Sequence, residues 1–499
     1  MLSASPAFAK ASAGRSEVTM SPDASAYERF ESPLVSRYAG EEMSRTFSPA
    51  ARFRAWRRLW IALAEAEKEL GLPITDAQIR EMRRHADDLN LKRAEALERD
   101  LRHDVMAHVH AFGEQCPAAK PIIHLGATSC DIADNADLVA IREGLAILAR
   151  RSVTVMDRLA RFAAEHRALA TLGFTHYQPA QLTTVGKRAC LWLWDLVMDW
   201  HAVEAARADL RFRGIKGTTG TQASFLRLLE GNHEKVKRLD RLVAEKMGFA
   251  EVQPVTGQTY SRKVDAGILA VLSGIAQSAH KFANDLRLLA NLKEMDEPFE
   301  KSQIGSSAMA YKRNPMRSER MTGLARCVMS LAPAAAQTAA EQWLERTLDD
   351  SAARRIVLGE GFLGADAILR LYQNIAESLV VYPKMIARHM AEELPFMATE
   401  NILMAAVKAG GDRQTLHEKI RRHSQEAGRR IKMEGAANDL LERLKADAAF
   451  AKVDIAKELA PSRFVGRAPE QVDEFLAEHV RPILSANKAL IGTEADIGL

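Results

Sequence analysis

Cysteine is scarce in this chain: Cys116, Cys130, Cys190 and Cys327 are the four in 499 residues. None stands at Cys-x-x-Cys or Cys/His zinc spacing, which excludes a disulfide framework, implies no metal, and predicts reduced thiols in a reducing, cytoplasmic compartment. No apolar run approaches the roughly 18 residues needed to cross a bilayer, so no membrane partner is expected. Charge of a single sign is missing too. The 69 Lys and Arg are interleaved with 65 Asp and Glu, leaving +4, and this excludes a nucleic-acid-coating or membrane-surface role. Strand signals are few, with little short alternation flanked by hairpin turns, and no fixed repeat period marks a solenoid. The first thirty residues, Met1 to Phe30, lack apolar periodicity and are rich in Ala and Ser. Such a composition cannot repay the entropy of ordering, so a disordered N-terminal extension is expected; sparse arginine argues against an import signal.

What remains is a chain 47% hydrophobic and 27% charged, with ample material for a core. Proline is absent between Pro121 and Pro179, Pro179 and Pro254, Pro254 and Pro298, and Pro333 and Pro383, and each gap can hold one or two long helices. In the third gap Ile268, Leu272, Ile275, Ala279, Phe282, Leu286 and Leu289 alternate spacings of four and three, the seam of a helix packed nearly parallel to its neighbours. Similar patterns over Leu138 to Ala170 and Ala365 to Val381 complete an all-α reading in which the apolar stripes are core.

The most informative stretch is Gly305-Ser306-Ser307-Ala308-Met309-Ala310-Tyr311-Lys312-Arg313-Asn314-Pro315-Met316-Arg317-Ser318-Glu319-Arg320. Glycine and two serines give a pliable hydroxyl-bearing loop, while Asn314 suits a helix cap and Pro315 the first helical position. Free amides at that helix start, with Lys312, Arg313, Arg317 and Arg320, would suit a carboxylate or phosphate. The alternative is a capped helix with a solvated basic face.

This run resembles the signature Gly-Ser-Ser-x-Met-Pro-x-Lys-x-Asn-Pro of the fumarase/aspartase superfamily, with Ala310 in place of its proline. Further stretches, Leu101 to His110, Ile123 to Cys130 and Thr171 to Thr184, are similar to the animal-type adenylosuccinate lyase family, and the likeness runs from about Ser32 to about Pro482. The resemblance implies three helical domains: an N-terminal domain (31–128), a central bundle (129–381) and a C-terminal domain (382–499). It also implies a homotetramer whose central bundles form a twenty-helix core, with active sites shared between three subunits. The reaction implied is β-elimination of fumarate from adenylosuccinate and from a succinylated imidazole-carboxamide ribotide, needing a base, an acid and anion-binding groups but no cofactor or metal.

Residue by residue, the resemblance makes His176 the general acid and Ser306 the general base. A neutral serine needs nearby cations or amides to lower its hydroxyl pKa, and Lys312 and the helix beginning at Asn314 are the local candidates; Ser307 is an adjacent hydroxyl that sequence does not separate from Ser306. Substrate-binding roles carry over to Arg37 and Tyr38; to Arg102, His103 and Asp104; to Thr128 and Ser129, ahead of the expected cap Asp134; and to Gln258, Arg320, Arg346, Ser351 and Arg355. Arg354, about 100° around a helix from Arg355, is left out. His103 with His108 or His110 lacks a third ligand at metal spacing, so a metal reading is rejected. Gly214, Gly217 and Gly220 lack the Gly-Lys-Ser/Thr ending of a phosphate loop and read as a tight bend. A sister lyase, such as one acting on argininosuccinate, and a non-catalytic scaffold are the alternatives.

Overall fold

A computed structural model describes residues 30–300 and 303–492; all but Phe30 of the expected N-terminal extension lies outside the described residues. The N-terminal part contains α1 (Pro49–Glu69), α2 (Leu91–Leu101) and α3 (Asp104–Gln115). Five long helices follow: α4 (Ser129–Glu165), α5 (Val185–Ala208), α6 (Lys263–Asn291), α7 (Met316–Ala340) and α8 (Asp349–Glu377). They pack side by side, α4 on α5, α6 on α7, α7 on α8 and α8 on α4. The seven seam residues read from the sequence of α6 are all buried, as a helix with an apolar stripe inside a bundle requires.

Helix direction is fixed by three contacts. Arg262, just ahead of α6, bonds Asp134 in the first turns of α4 and Asp350 at the start of α8, so these three helices begin at one end of the bundle. α5 and α7 begin at the other end. There the hairpin of β1 (Ala170–Thr175) and β2 (Gln178–Thr184) joins α4 to α5, and the signature loop leads into α7. Two short strands, β3 (Met295–Asp296) and β4 (Val380–Val381), pair where α6 and α8 end.

Three sequence expectations change. Helix does not continue to Ala170: α4 stops at Glu165 and the Thr- and Leu-containing stretch beyond forms β1, with an irregular register between Leu172 and Phe174 around Gly173. The pattern over Ala365 to Val381 likewise ends in β4. Pro333 does not bound a helix but lies inside α7, costing one backbone hydrogen bond that packing on α6 and α8 offsets.

Beyond the bundle, α9 (Pro383–Met397), α10 (Thr399–Lys408), α11 (Arg413–Glu434) and α12 (Leu440–Ala446) follow. A second apolar cluster, separate from the bundle core, gathers Ala398, Ile402, Leu403, Leu416, Ile420, Leu440, Leu444, Phe450 and Ile455. Ile386 and Met390 before it, and Val472, Val480 and Ile483 after it, return to the main core.

Candidate active site

A cavity of about 1050 Å³ opens where α4, α6 and α8 begin. Arg102, His103, Asp104, Thr128, Ser129, Gln258, Arg346, Ser351 and Arg355 all line it, so residues spread over 250 positions converge. The chain achieves this with helix ends. Arg102 closes α2 in the left-handed conformation (φ 53°), turning the chain into α3, whose cap is His103. His103 Nδ1 accepts the Met106 amide at 3.3 Å, so the neutral ring carries its proton on Nε2, which lies 3.3 Å from Ser129 Oγ. Thus His103 presents a donor to the cavity. Asp104 accepts from Arg355 Nη2 at 3.1 Å.

The Thr128–Ser129 turn is held from behind. Asp131, not the expected Asp134, caps it: one carboxylate oxygen accepts the Thr128 amide at 2.8 Å. The other takes the Lys216 amide at 2.7 Å, the Gly217 amide at 3.1 Å and the guanidinium of fully buried Arg213. The glycine bend is therefore a brace for this turn, and Gly214, Gly217 and Gly220 all adopt positive φ there. Asp134, one turn further on, is instead bound by both Nη atoms of Arg262 at 3.0 Å, and these neighbouring guanidinium charges hold its carboxyl below the usual range despite burial. Arg354, left out of the site in the sequence reading, also lines the cavity, but it is buried against Asp265 and Tyr260 whereas Arg355 is exposed.

Arg52, Arg58, Arg262 and Asp350 also belong to this cavity and were not singled out from the sequence. Asp350 stands beside the assigned Ser351, but nothing local shows that it takes Arg262 Nε from 88 positions away. His108, weighed as a metal partner for His103, is stacked on Phe53 at 3.8 Å, and burial lowers its pKa to about 4.

The remaining assigned residues lie elsewhere. His176 and Tyr177 form the exposed two-residue turn of the β1–β2 hairpin, both with left-handed backbones (φ 53° and 56°). Such a turn ordinarily selects Asn-Gly, so two bulky side chains there are a strained arrangement. Arg37, Tyr38 and Arg320 form a third group, with each guanidinium 5.9 Å from the Tyr38 ring centre.

The signature loop also departs from expectation. Its helix begins at Met316 with Pro315 as the cap residue, and Asn314 does not cap it; the Asn314 amide donates to the Gly305 carbonyl at 2.8 Å. Nor are the helix amides free for an anion. Glu297 occupies them, accepting the Arg317 and Ser318 amides at 2.9 and 2.8 Å. Ser306 Oγ finds donors inside the loop instead, at the Ala308 and Met309 amides (3.4 and 3.1 Å), whereas Ser307 is exposed. Two amides on one hydroxyl oxygen favour its deprotonated form.

One dimension separates the groups. α4 has 37 residues and is about 55 Å long at 1.5 Å per residue. Ser129 is at its first turn and the His176 hairpin follows its last; a hairpin strand of six residues reaches back only about 20 Å. His176 therefore does not meet the cavity of its own chain.

Two family profiles match the chain, one described as "Lyase" over residues 38–330 and one as "Adenylosuccinate lyase C-terminus" over residues 395–475. The chain is 56% identical to adenylosuccinate lyase of Saccharomyces cerevisiae over 473 residues, covering 94% of this chain and 98% of that protein. It is 48% identical to the Schistosoma mansoni enzyme of the same name over 94% of this chain and 99% of that protein. Among solved structures, 3-carboxy-cis,cis-muconate lactonizing enzyme from Pseudomonas putida superposes with a TM-score of 0.78 at 22% identity, covering 90% of this chain and 99% of that one. Fumarate lyase from Mesorhizobium sp. BNC1 gives 0.76 at 23%, covering 89% and 99%. These two establish the fold.

Proposed function

The chain belongs to the adenylosuccinate lyase family of the fumarase/aspartase superfamily, and from that premise we propose how its residues divide the work of releasing fumarate from adenylosuccinate and from the succinylated imidazole-carboxamide ribotide. Elimination breaks a carbon–nitrogen bond. Ser306 removes the proton from the carbon beside a succinyl carboxylate, and His176 protonates the departing nitrogen. The Ala308 and Met309 amides steady the serine oxygen as it gains charge, with Lys312 as the nearby cation. Arg346, Arg355, Thr128, Ser129, Gln258 and Ser351 hold the substrate in the cavity, and His103 offers its Nε2 proton there. Arg37, Tyr38 and Arg320 form a phosphate-binding group.

The observation that carries this reading is the roughly 55 Å of α4 between cavity and hairpin. If His176 and the cavity act on one substrate, they come from different copies, which supports a homotetramer with shared sites. A cytoplasmic setting is part of the same reading, and four unpaired cysteines support it.

The test is fumarate and AMP release from adenylosuccinate by the purified chain, beside His176→Ala and Ser306→Ala variants that assemble as the parent does. Turnover that collapses in both supports the assignment; an assembled parent without turnover refutes it.

A further inference from the structure

The first turn of α7 carries a ligand of its own, and it is protein. Glu297, 5% exposed, follows β3; its Oε1 accepts the Arg317 amide at 2.9 Å, and its Oε2 accepts both the amide and the hydroxyl of fully buried Ser318 at 2.8 Å. These three hydrogen bonds tie the chain entering the signature loop to the chain leaving it. A second tie lies beside them: Arg317 Nη2 donates to Glu300 at 2.6 Å and Nη1 to Asn374 of α8 at 2.6 Å. Upstream, the Tyr382 hydroxyl donates to Asp296 at 2.9 Å. The stem of the loop is thus fixed to the bundle on both sides.

From the stem a short path leads to the reactive hydroxyl. Ser318 is four positions from Asn314, Asn314 holds the Gly305 carbonyl at 2.8 Å, and Gly305 precedes Ser306. Gly305 lies so close to the Lys312 carbonyl that no Cβ fits between them, so the two limbs of the loop move together. A shift at the stem is passed on to Ser306 and Lys312.

We propose that Glu297 is a positioning residue for the elimination: its carboxylate locks the first turn of α7 and thereby sets where Ser306 and Lys312 stand. This rests on the assignment of Ser306 above. The buried carboxylate also answers the positive end of the helix dipole, leaving the charge of exposed Lys312 for the substrate, while Arg313 lies over the Phe299 ring at 5.0 Å.

The experiment compares the full-length parent with Glu297→Gln, which keeps size and one acceptor oxygen, and Ser318→Ala, which removes one of the three bonds. Assembly, melting temperature, kcat and KM for adenylosuccinate are measured for each. Displacement of a reacting group by about 1 Å costs on the order of 100-fold, so Glu297→Gln should lose roughly 10- to 100-fold in kcat with KM within about threefold, and Ser318→Ala should lose less in the same direction. Parental kcat in an assembled Glu297→Gln protein, or a loss confined to KM, overturns the proposal. Should Glu297→Gln fail to assemble, Ser318→Ala decides by the same split. A parent that assembles but does not release fumarate overturns the assigned reaction itself, and the positioning role with it.

Discussion

Arg346 grips Asp350 with a single guanidinium nitrogen, which donates to both carboxylate oxygens at 2.9 and 3.0 Å. Asp350 is fully buried and takes a third bond from Arg262 Nε at 2.6 Å, so two cations share one carboxylate at the floor of the cavity. Arg346 is thereby aimed, and its other guanidinium nitrogens remain for an anionic ligand.

Removing that carboxylate charge should cost more than it reveals in any one contact. Asp350→Asn leaves Arg262 only its pair with Asp134 and takes from Arg346 the carboxylate it grips, and breaking a buried ion pair costs about 3–5 kcal/mol. Thermal unfolding should show a Tm lowered by several degrees, with KM for adenylosuccinate raised. An unchanged Tm would mean that Asp350 does not hold the network together.

The two serines of the signature loop should separate cleanly. Ser306→Ala removes the oxygen that accepts two amides and should lower kcat by about 10² to 10⁴, the range of acid–base catalysis. Ser307→Ala, at an exposed position, should stay within about tenfold of the parent. Steady-state kinetics on both variants decides, and the reverse ranking would transfer the base role to Ser307.

The proposed sharing of sites between copies predicts complementation. His176→Ala and Arg346→Ala lie at opposite ends of the bundle, so mixing the two inactive proteins under exchange conditions should create sites with both residues intact. At equal mixing, recovery on the order of a quarter of parental activity is expected for a site drawing on two copies. No recovery after demonstrated exchange would place both residues in one copy's site.

Glu67 of α1 is fully buried, and neither carboxylate oxygen has a hydrogen-bond partner among the described residues; burial pushes its pKa up to about 9. Its folded-state pKa lies above the ordinary 4.5, so the folded chain binds more protons than the unfolded one between these values. Stability contributed by the protonated form is therefore present at low pH and lost as pH rises towards about 9. Glu67→Gln, unable to ionise, should flatten that decline and raise Tm by a few degrees at pH 8 relative to the parent; an identical pH dependence of Tm would rule out this titration.

Much of this protein was legible in one dimension. The alternating spacings of Ile268 to Leu289 determine a buried helix face because 3.6 residues per turn bring them into line wherever the helix sits. Of the signature loop only the pliable, hydroxyl-bearing backbone was legible; the donors on Ser306 Oγ are the Ala308 and Met309 amides, within three positions, and not the helix start that the sequence suggested.

Tertiary structure decided what depends on approach between distant segments. A helix start with cations reads as an anion site from sequence, yet Glu297, about twenty positions upstream, reached the Arg317 and Ser318 amides first, since a tethered carboxylate in a buried setting outcompetes a free ligand for two donors. The pairing of β1 with β2 was not read from the sequence because its turn is His176-Tyr177, without the glycine or asparagine that announces such turns. The sequence by itself determined which cations, hydroxyls and imidazoles the chain carries and in what local order. Only the packing of α4 against its neighbours determined that His176 and Ser306 stand at one end of the bundle and Ser129, Arg346 and Arg355 at the other, because a rigid helix of about 55 Å holds apart what it joins.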